Sequence, residues 1–131
     1  TYVAQVAEVA AGADGGFAVT RVVCAVDCGV VVNPDIVRAQ MEGGIALGLS
    51  TALEEVLTLE AGRPVPANFD GYPILRFDRM PKVEVVIVDS GAPPTGVGEP
   101  GVAPLAGAVA NALFAATGRR LRRLPLMGDQ S

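Results

Sequence analysis

Apolar and polar positions change period several times along the chain, and each change marks an element. Tyr2 to Ala10 alternates loosely, with Val3, Val6 and Val9 set among alanines and polar residues. The turn cluster Ala11-Gly12-Ala13-Asp14-Gly15-Gly16 follows, and Phe17 to Val26 is β-branched and almost wholly apolar. That order predicts a hairpin whose second strand is buried. The strand ends at Asp27-Cys28-Gly29. Asn33-Pro34 then reads as a helix start, with Asn as N-cap and Pro in the first helical position.

From Asp35 to about Leu57 the period becomes helical: Ile36, Ala39, Met41, Ile45, Leu49, Ala52, Leu53 and Val56 recur at three- and four-residue steps. Gly43, Gly44 and Gly48 interrupt it, each at a cost of about 1 kcal/mol relative to Ala in a helix interior. Close packing against a sheet, or a cofactor pressed against the helix, would each account for them. Leu57 to Leu59 and Pro64-Val65 flank Glu60-Ala61-Gly62-Arg63 as a second hairpin, and 66–81 is Pro-rich ordered loop. Val83 to Asp89 is the clearest strand. A Gly/Pro loop precedes a second helix over Gly101 to Thr117, ended by Gly118, and the tail Arg119 to Leu126 could add a last strand.

The expected fold is therefore α+β in two layers, a mixed β-sheet with two main helices packed on it. The chain reads as one domain, divided into hairpin strands over 1–32, a helix over 33–57, strands and loops over 58–92, a loop over 93–101, a helix over 101–118 and a tail over 119–131.

Composition narrows the chemistry. With 131 residues, half of them hydrophobic and 18% charged, the chain can bury one core and is not disordered. A net charge of −4 gives no electrostatic case for nucleic acid. There is no histidine. Triads with a His base and His-ligated metal sites are thereby excluded from this chain alone. A general base must be a carboxylate, the single Lys82, a tyrosine, a cysteine or a borrowed group. Cys24 and Cys28 lie four apart in one strand, about 13 Å at a rise of about 3.3 Å per residue. That is too far for a disulfide, so two buried, reduced thiols are expected. Neither a membrane span nor a targeting segment is expected; the most apolar stretch, Val102 to Thr117, is broken by Pro104 and covers about 24 Å as a helix. A soluble protein of cytoplasm or periplasm is expected, with the compartment open. The start at Thr1, already inside an apolar alternation, reads as a piece of something longer.

One loop concentrates the chemistry. Pro93-Pro94-Thr95-Gly96-Val97-Gly98-Glu99-Pro100-Gly101 joins the clearest strand to the second helix, and Glu99 is its only ionisable residue. Prolines stiffen it and glycines let a ligand touch its backbone. Glu99 is then either a base held on a rigid loop or a cap for the helix that follows. Gly96 to Gly101 matches G-x-G-x-x-G, but no acidic residue lies about 20 positions on, so a dinucleotide fingerprint fails.

The same loop resembles the segment that carries the catalytic glutamate in the molybdenum hydroxylases, the xanthine dehydrogenase and aldehyde oxidase family. Val22-Val23-Cys24-Ala25-Val26-Asp27-Cys28-Gly29, Val32-Asn33-Pro34, Gln40-Met41-Glu42-Gly43-Gly44-Ile45 and Gly48-Leu49 are similar to large subunits of the isoquinoline 1-oxidoreductase type. So are Asn68-Phe69-Asp70, Tyr72 to Arg76, Gly96 to Gly101, Ala110 to Gly118 and Leu124-Pro125. The likeness runs through nearly the whole chain, in order, and matches the C-terminal part of a much longer molybdopterin-binding subunit.

The resemblance implies a role for each matching position. Glu99 matches the family's general base, which takes a proton as oxygen derived from water reaches a carbon beside a ring nitrogen, or an aldehyde carbon. Gln40 matches a glutamine whose amide contacts the molybdenum site or the pterin. Gly43 and Gly44 would let the helix lie close to that cofactor, and Gly96, Val97 and Gly98 would lie along its pterin end. No residue here is implied as a metal ligand. The implied cofactor of a full-length parent is a molybdenum–pterin in dinucleotide form, with iron–sulfur clusters on a separate subunit or domain and no cofactor expected on this fragment alone. The implied partners are the rest of the large subunit, a small iron–sulfur subunit and a small heteroaromatic or aldehyde substrate. A cut parent would also expose apolar patches through which the fragment could self-associate. The competing reading is a stand-alone non-catalytic module of the same fold, used for subunit contact or small-molecule binding. Arg119 to Arg123 reads as a solvated or interdomain face, and Tyr72 as a buried ring with a hydrogen-bonded tip.

Overall fold

A computed structural model describes residues 1–13 and 15–127; Asp14 in the first turn and residues 128–131 of the tail lie outside the described residues. The first two strands, β1 (Tyr2–Ala11) and β2 (Phe17–Asp27), pair antiparallel from Tyr2 opposite Asp27 to Ala11 opposite Phe17, with a bulge between Glu8 and Val9. Then come α1 (Pro34–Leu53), a short hairpin of β3 (Leu59–Glu60) and β4 (Arg63–Pro64), β5 (Lys82–Ile87) and α2 (Leu105–Thr117). β5 runs parallel to β2, giving a mixed sheet of order β1-β2-β5. A parallel return needs a long crossover, and the segment containing α1 supplies it. The α+β architecture expected from sequence is the one observed.

The period of two in the strands explains the core. Register aligns Val3 with Val26 and Ile87, Gln5 with Cys24 and Val85, and Ala7 with Val22 and Val83. These positions face the helices, where Met41, Ile45, Leu49, Leu105, Val109 and Leu113 close the core over them. Alternate positions face outward: Tyr2, Val6 and Val86 are exposed. One end of that outer face carries a charge cluster in which Arg21 binds both Glu8 and Glu84, and Lys82 also reaches Glu84.

α1 begins as read, with the Asn33 side chain accepting from the Asp35 and Ile36 amides. It ends earlier, at Leu53 rather than 57, because the Glu54 and Glu55 amides both turn back to the Ser50 carbonyl. Glu54 and Glu55 then bind the long loop through Arg79 and the Tyr72 hydroxyl. Ile36 and Val56 are exposed, and Val37 occupies the core. The second helix also starts later, at Leu105 rather than 101, with residues 101–104 forming turns. Gly118 ends it in the left-handed conformation at φ 75°. The described tail forms no strand. Instead, the Leu126 amide donates to the Ala52 carbonyl at 2.7 Å and satisfies one of the free carbonyls at the end of α1. In the short hairpin Ala61 and Gly62 both take positive φ, 48° and 78°, as a two-residue turn requires.

Candidate functional site

The Glu99 loop is reached from the end of β5 and is tied down along its length. Val88 continues the parallel ladder by donating to the Val26 carbonyl at 2.8 Å. At the neighbouring end of β2, Asp27 Oδ1 accepts from the Gly29 amide at 3.0 Å and from Ser90 Oγ at 2.7 Å. Those two bonds, the hydroxyl first, hold the Asp27 carboxyl below its ordinary pKa. Gly29 sits at φ 74°, and a β-carbon there would lie 2.2 Å from the Pro93 carbonyl oxygen. Backbone bonds from Val30 to Ala92 and from Thr95 to Cys28, both 2.9 Å, stitch the loop across that close approach.

Beyond Thr95 the loop turns toward the helices. Val97 packs on the core while Gly96, Gly98 and Glu99 are exposed. Neither Gly96 nor Gly98 has a positive φ; in this region Gly91 does, at 64°. The Val102 amide donates to the Glu99 carbonyl at 2.9 Å, closing a turn over 99–102. Inside that turn Gly101 lies against α1: a β-carbon on it would be 3.1 Å from the Met41 carbonyl oxygen and 3.4 Å from the Gly44 α-carbon. The loop is thus seated on the part of α1 that carries Gln40 and Gly43.

Glu99 does not cap α2. That helix begins six residues later, its N-cap is Pro104, and it has no side-chain cap. The Glu99 carboxylate is exposed and has no hydrogen-bond or ion-pair partner among the described residues. Gln40 is also exposed, and Gly43 has open space where a β-carbon would stand. Gly44 differs: it is buried against the Gly101 and Val102 backbone. Close packing is therefore the structural reason for Gly44 and Gly48, against the turn before α2 rather than against the sheet. The structure brings the Glu99 loop, Gln40 and Gly43 to one side of the domain, with Gly44 as the contact beneath.

No group of three acidic or cysteine side chains able to hold a metal occurs among the described residues. Cys24 and Cys28 are free and buried, and burial pushes the Cys24 thiol above its usual pKa. The basic tail is occupied: Arg119 donates to the Gly15 carbonyl, while Arg120 stacks 3.6 Å over Phe114 and binds Asn111. A concavity of about 550 Å³ lined by Phe69, Tyr72, Ile74 and Arg76 lies on the long loop and does not include Glu99. Glu99 stands on an open, exposed surface.

Asp27 and Gly29 also shape the site, as do Thr1 and Gln5 by donating to the Gly96 and Gly101 carbonyls, and pattern reading did not single them out as such. Only Asp-Cys-Gly at a strand end carried a local hint. The others hold the loop across more than 60 positions of sequence, beyond the reach of periodicity.

The sequence model of the molybdopterin cofactor-binding domain matches residues 1–81. The beta chain of isoquinoline 1-oxidoreductase from Brevundimonas diminuta is 45% identical over 82% of this chain, and one of the subunits of nicotinate dehydrogenase from Pseudomonas putida is 40% identical over 88%. The chain spans only 14% and 10% of those relatives. The fold is similar to part of quinoline 2-oxidoreductase from Pseudomonas putida 86, with TM-score 0.78 and 24% identity over 87% of this chain and 16% of that one.

Proposed function

Because this chain belongs to the molybdopterin cofactor-binding domain family, we propose that it forms one wall of a molybdenum–pterin site in a larger hydroxylase and contributes its general base, Glu99. The reading rests above all on one observation: an unpaired, exposed carboxylate on a loop tied to β1, β2 and α1. Other exposed carboxylates, Glu42 and Asp78 among them, are also unpaired among the described residues; Glu99 differs in standing on a loop held from several sides.

The exposed residues fit such a cofactor. Open space at Gly43, the exposed Gln40 amide and the exposed backbone at Gly96 and Gly98 offer hydrogen bonds and close approach to a pterin. In this reading the metal is carried by its own pterin and not by side chains of this chain. When bound, that group supplies a two-electron acceptor and an activated water. Glu99 then takes the proton released as oxygen is transferred to the substrate. Gln40 orients the cofactor through its amide, and Val97 anchors the loop to the core. Gly44 acts beneath them, allowing the loop to reach α1.

Substrates of the N-heteroaromatic class, or aldehydes, fit this reading; isoquinoline and nicotinate, in the names of two relatives, are such heterocycles. The enclosing walls, the iron–sulfur clusters and the pterin's nucleotide belong to other parts of the assembly in this proposal. The chain alone is then inactive.

The test is Glu99→Gln in the assembled enzyme carrying this chain. We expect turnover to fall by about 10²–10⁴-fold with molybdenum content unchanged. Near-normal turnover would remove Glu99 from the chemistry.

A further inference from the structure

The start of β1 reaches both ends of the Glu99 loop. Thr1 Oγ1 shares a 2.6 Å hydrogen bond with Thr95 Oγ1 and donates to the Gly96 carbonyl. Gln5 Nε2 donates to the Gly101 carbonyl at 2.8 Å. Thr1 stands immediately before β1 and is exposed, whereas Gln5 lies within the strand on its helix-facing side, about 13 Å further along at extended rise. Val3 between them packs on the core and is paired to Val26. The loop is therefore held at a point just before β1 and again at Gln5 within it, and the spacing between the two points is set by a strand locked into the sheet.

The Gln5 contact is costly in a way that an incidental one would not be. Its Oε1 is buried with no hydrogen-bond partner among the described residues. A buried unpaired amide oxygen destabilises, and an apolar residue at this core-facing position would avoid that. What Gln5 adds is a donor to the Gly101 carbonyl, inside the turn that begins at Glu99.

We propose that Thr1 and Gln5 are positioning residues, a two-point clamp by which β1 and the residue just before it set the place of the Glu99 carboxylate. This rests on the proposed role of Glu99 as base. Removing one point leaves the cofactor-facing residues of α1 untouched and lets one end of the loop drift. Displacement of about 1 Å at a reacting group is enough to cost on the order of 100-fold in rate.

The experiment uses the assembled enzyme with Gln5→Leu, Gln5→Met, Thr1→Val and Thr1→Ser, reading steady-state kinetics, molybdenum content and amide hydrogen exchange. The Val102 amide reports the 99–102 turn and the Thr95 amide reports the other end. Gln5→Leu is expected to lower kcat by about 10–100-fold with KM within about threefold and molybdenum retained. Exchange at Val102 should rise about tenfold or more, while amides of β2 and α1 stay protected. Gln5→Met, which keeps the length of the side chain but has no donor, should behave likewise and covers the case in which the leucine variant does not fold. Thr1→Val should loosen Thr95, and Thr1→Ser, which keeps the hydroxyl, should restore it. Normal kcat in both Gln5 variants, or exchange rising equally everywhere, would overturn the clamp. Glu99→Gln run in parallel separates the two ideas. If that change leaves turnover intact, the base assignment falls; if it abolishes turnover while the Gln5 variants are normal, the clamp alone falls.

Discussion

Gly44 of α1 and Gly101 of the Glu99 loop meet backbone to backbone, so closely that a β-carbon on Gly44 would stand 3.2 Å from the Gly101 α-carbon. One turn further along α1, a β-carbon on Gly48 would be 2.9 Å from the Val102 carbonyl oxygen. Neither obstacle is a flexible side chain, so the loop itself would have to move. Gly43, adjacent in sequence, meets nothing within 4 Å.

Gly48 and Gly43 therefore separate by experiment. Gly48→Ala should destabilise by about 1–3 kcal/mol as an overpacked contact, even after the helix propensity gained. Gly43→Ala should stabilise by up to about 1 kcal/mol, because the helix gains without a clash. In the assembled enzyme the same Gly43→Ala should lower molybdenum–pterin occupancy if the cofactor lies on that face. Thermal melts read the first two, and metal analysis reads the third. Unchanged occupancy would take Gly43 out of the cofactor contacts.

Gly29 makes a sharper prediction, since its φ of 74° and its 2.2 Å clearance to the Pro93 oxygen both exclude a side chain. Gly29→Ala should push the first residues of the loop off the end of β2 and cost about 2 kcal/mol or more in stability. Its effect on turnover should exceed that of a core change of equal destabilisation. Urea melts with parallel kinetics check this. Equal losses in both variants would mean that the close approach matters only for folding.

The strands, both helices and the Glu99 loop were legible because each writes its own local signal: alternation in β1 and β2, Asn33-Pro34 before α1, Gly118 after α2. Helix ends were less so. Val56 continues an apolar period, yet α1 stops because Glu54 and Glu55 are turned toward Tyr72 and Arg79, partners far along the chain. Pro100 and Gly101 look like the start of α2, but the packing of Gly101 on Met41 and Gly44 spends those residues on a turn. That the loop carries a single ionisable residue, Glu99, was readable from the sequence. Its seating was not, because Thr1 and Gln5 act over 94 to 96 positions of sequence.

Acid should weaken the outer face of the sheet in a defined window. Arg21 first, then Lys82, hydrogen-bonds Glu84 and lowers its carboxyl from 4.5 to about 2. A depressed carboxylate means that the unfolded chain binds more protons between those values, so stability rises with pH there and is lost as pH falls through the window. Glu84→Gln should therefore melt below the unsubstituted protein at neutral pH. The gap should close as pH falls from about 4.5 to about 2. The side chains are partly exposed and salt will screen them, so the gap should shrink in high salt. A constant gap across that range would mean that the loss comes from packing rather than charge.

Thiol chemistry tests whether the core is as closed as its packing implies. Cys24 is fully buried and Cys28 nearly so, and burial raises the Cys24 thiol despite a weak contact from Gln5. Only the thiolate reacts readily, so both access and ionisation oppose modification. A disulfide-exchange reagent should modify Cys24 at least about 100-fold more slowly in the native protein than in the unfolded one, the factor that an opening free energy of ~3 kcal/mol imposes. Gln5→Leu removes one contact to the Cys24 sulfur and also frees the Glu99 turn. If it leaves Cys24 protected while the Val102 amide exchanges faster, the core and the loop open separately. If both are exposed together, the loop is part of what closes the core.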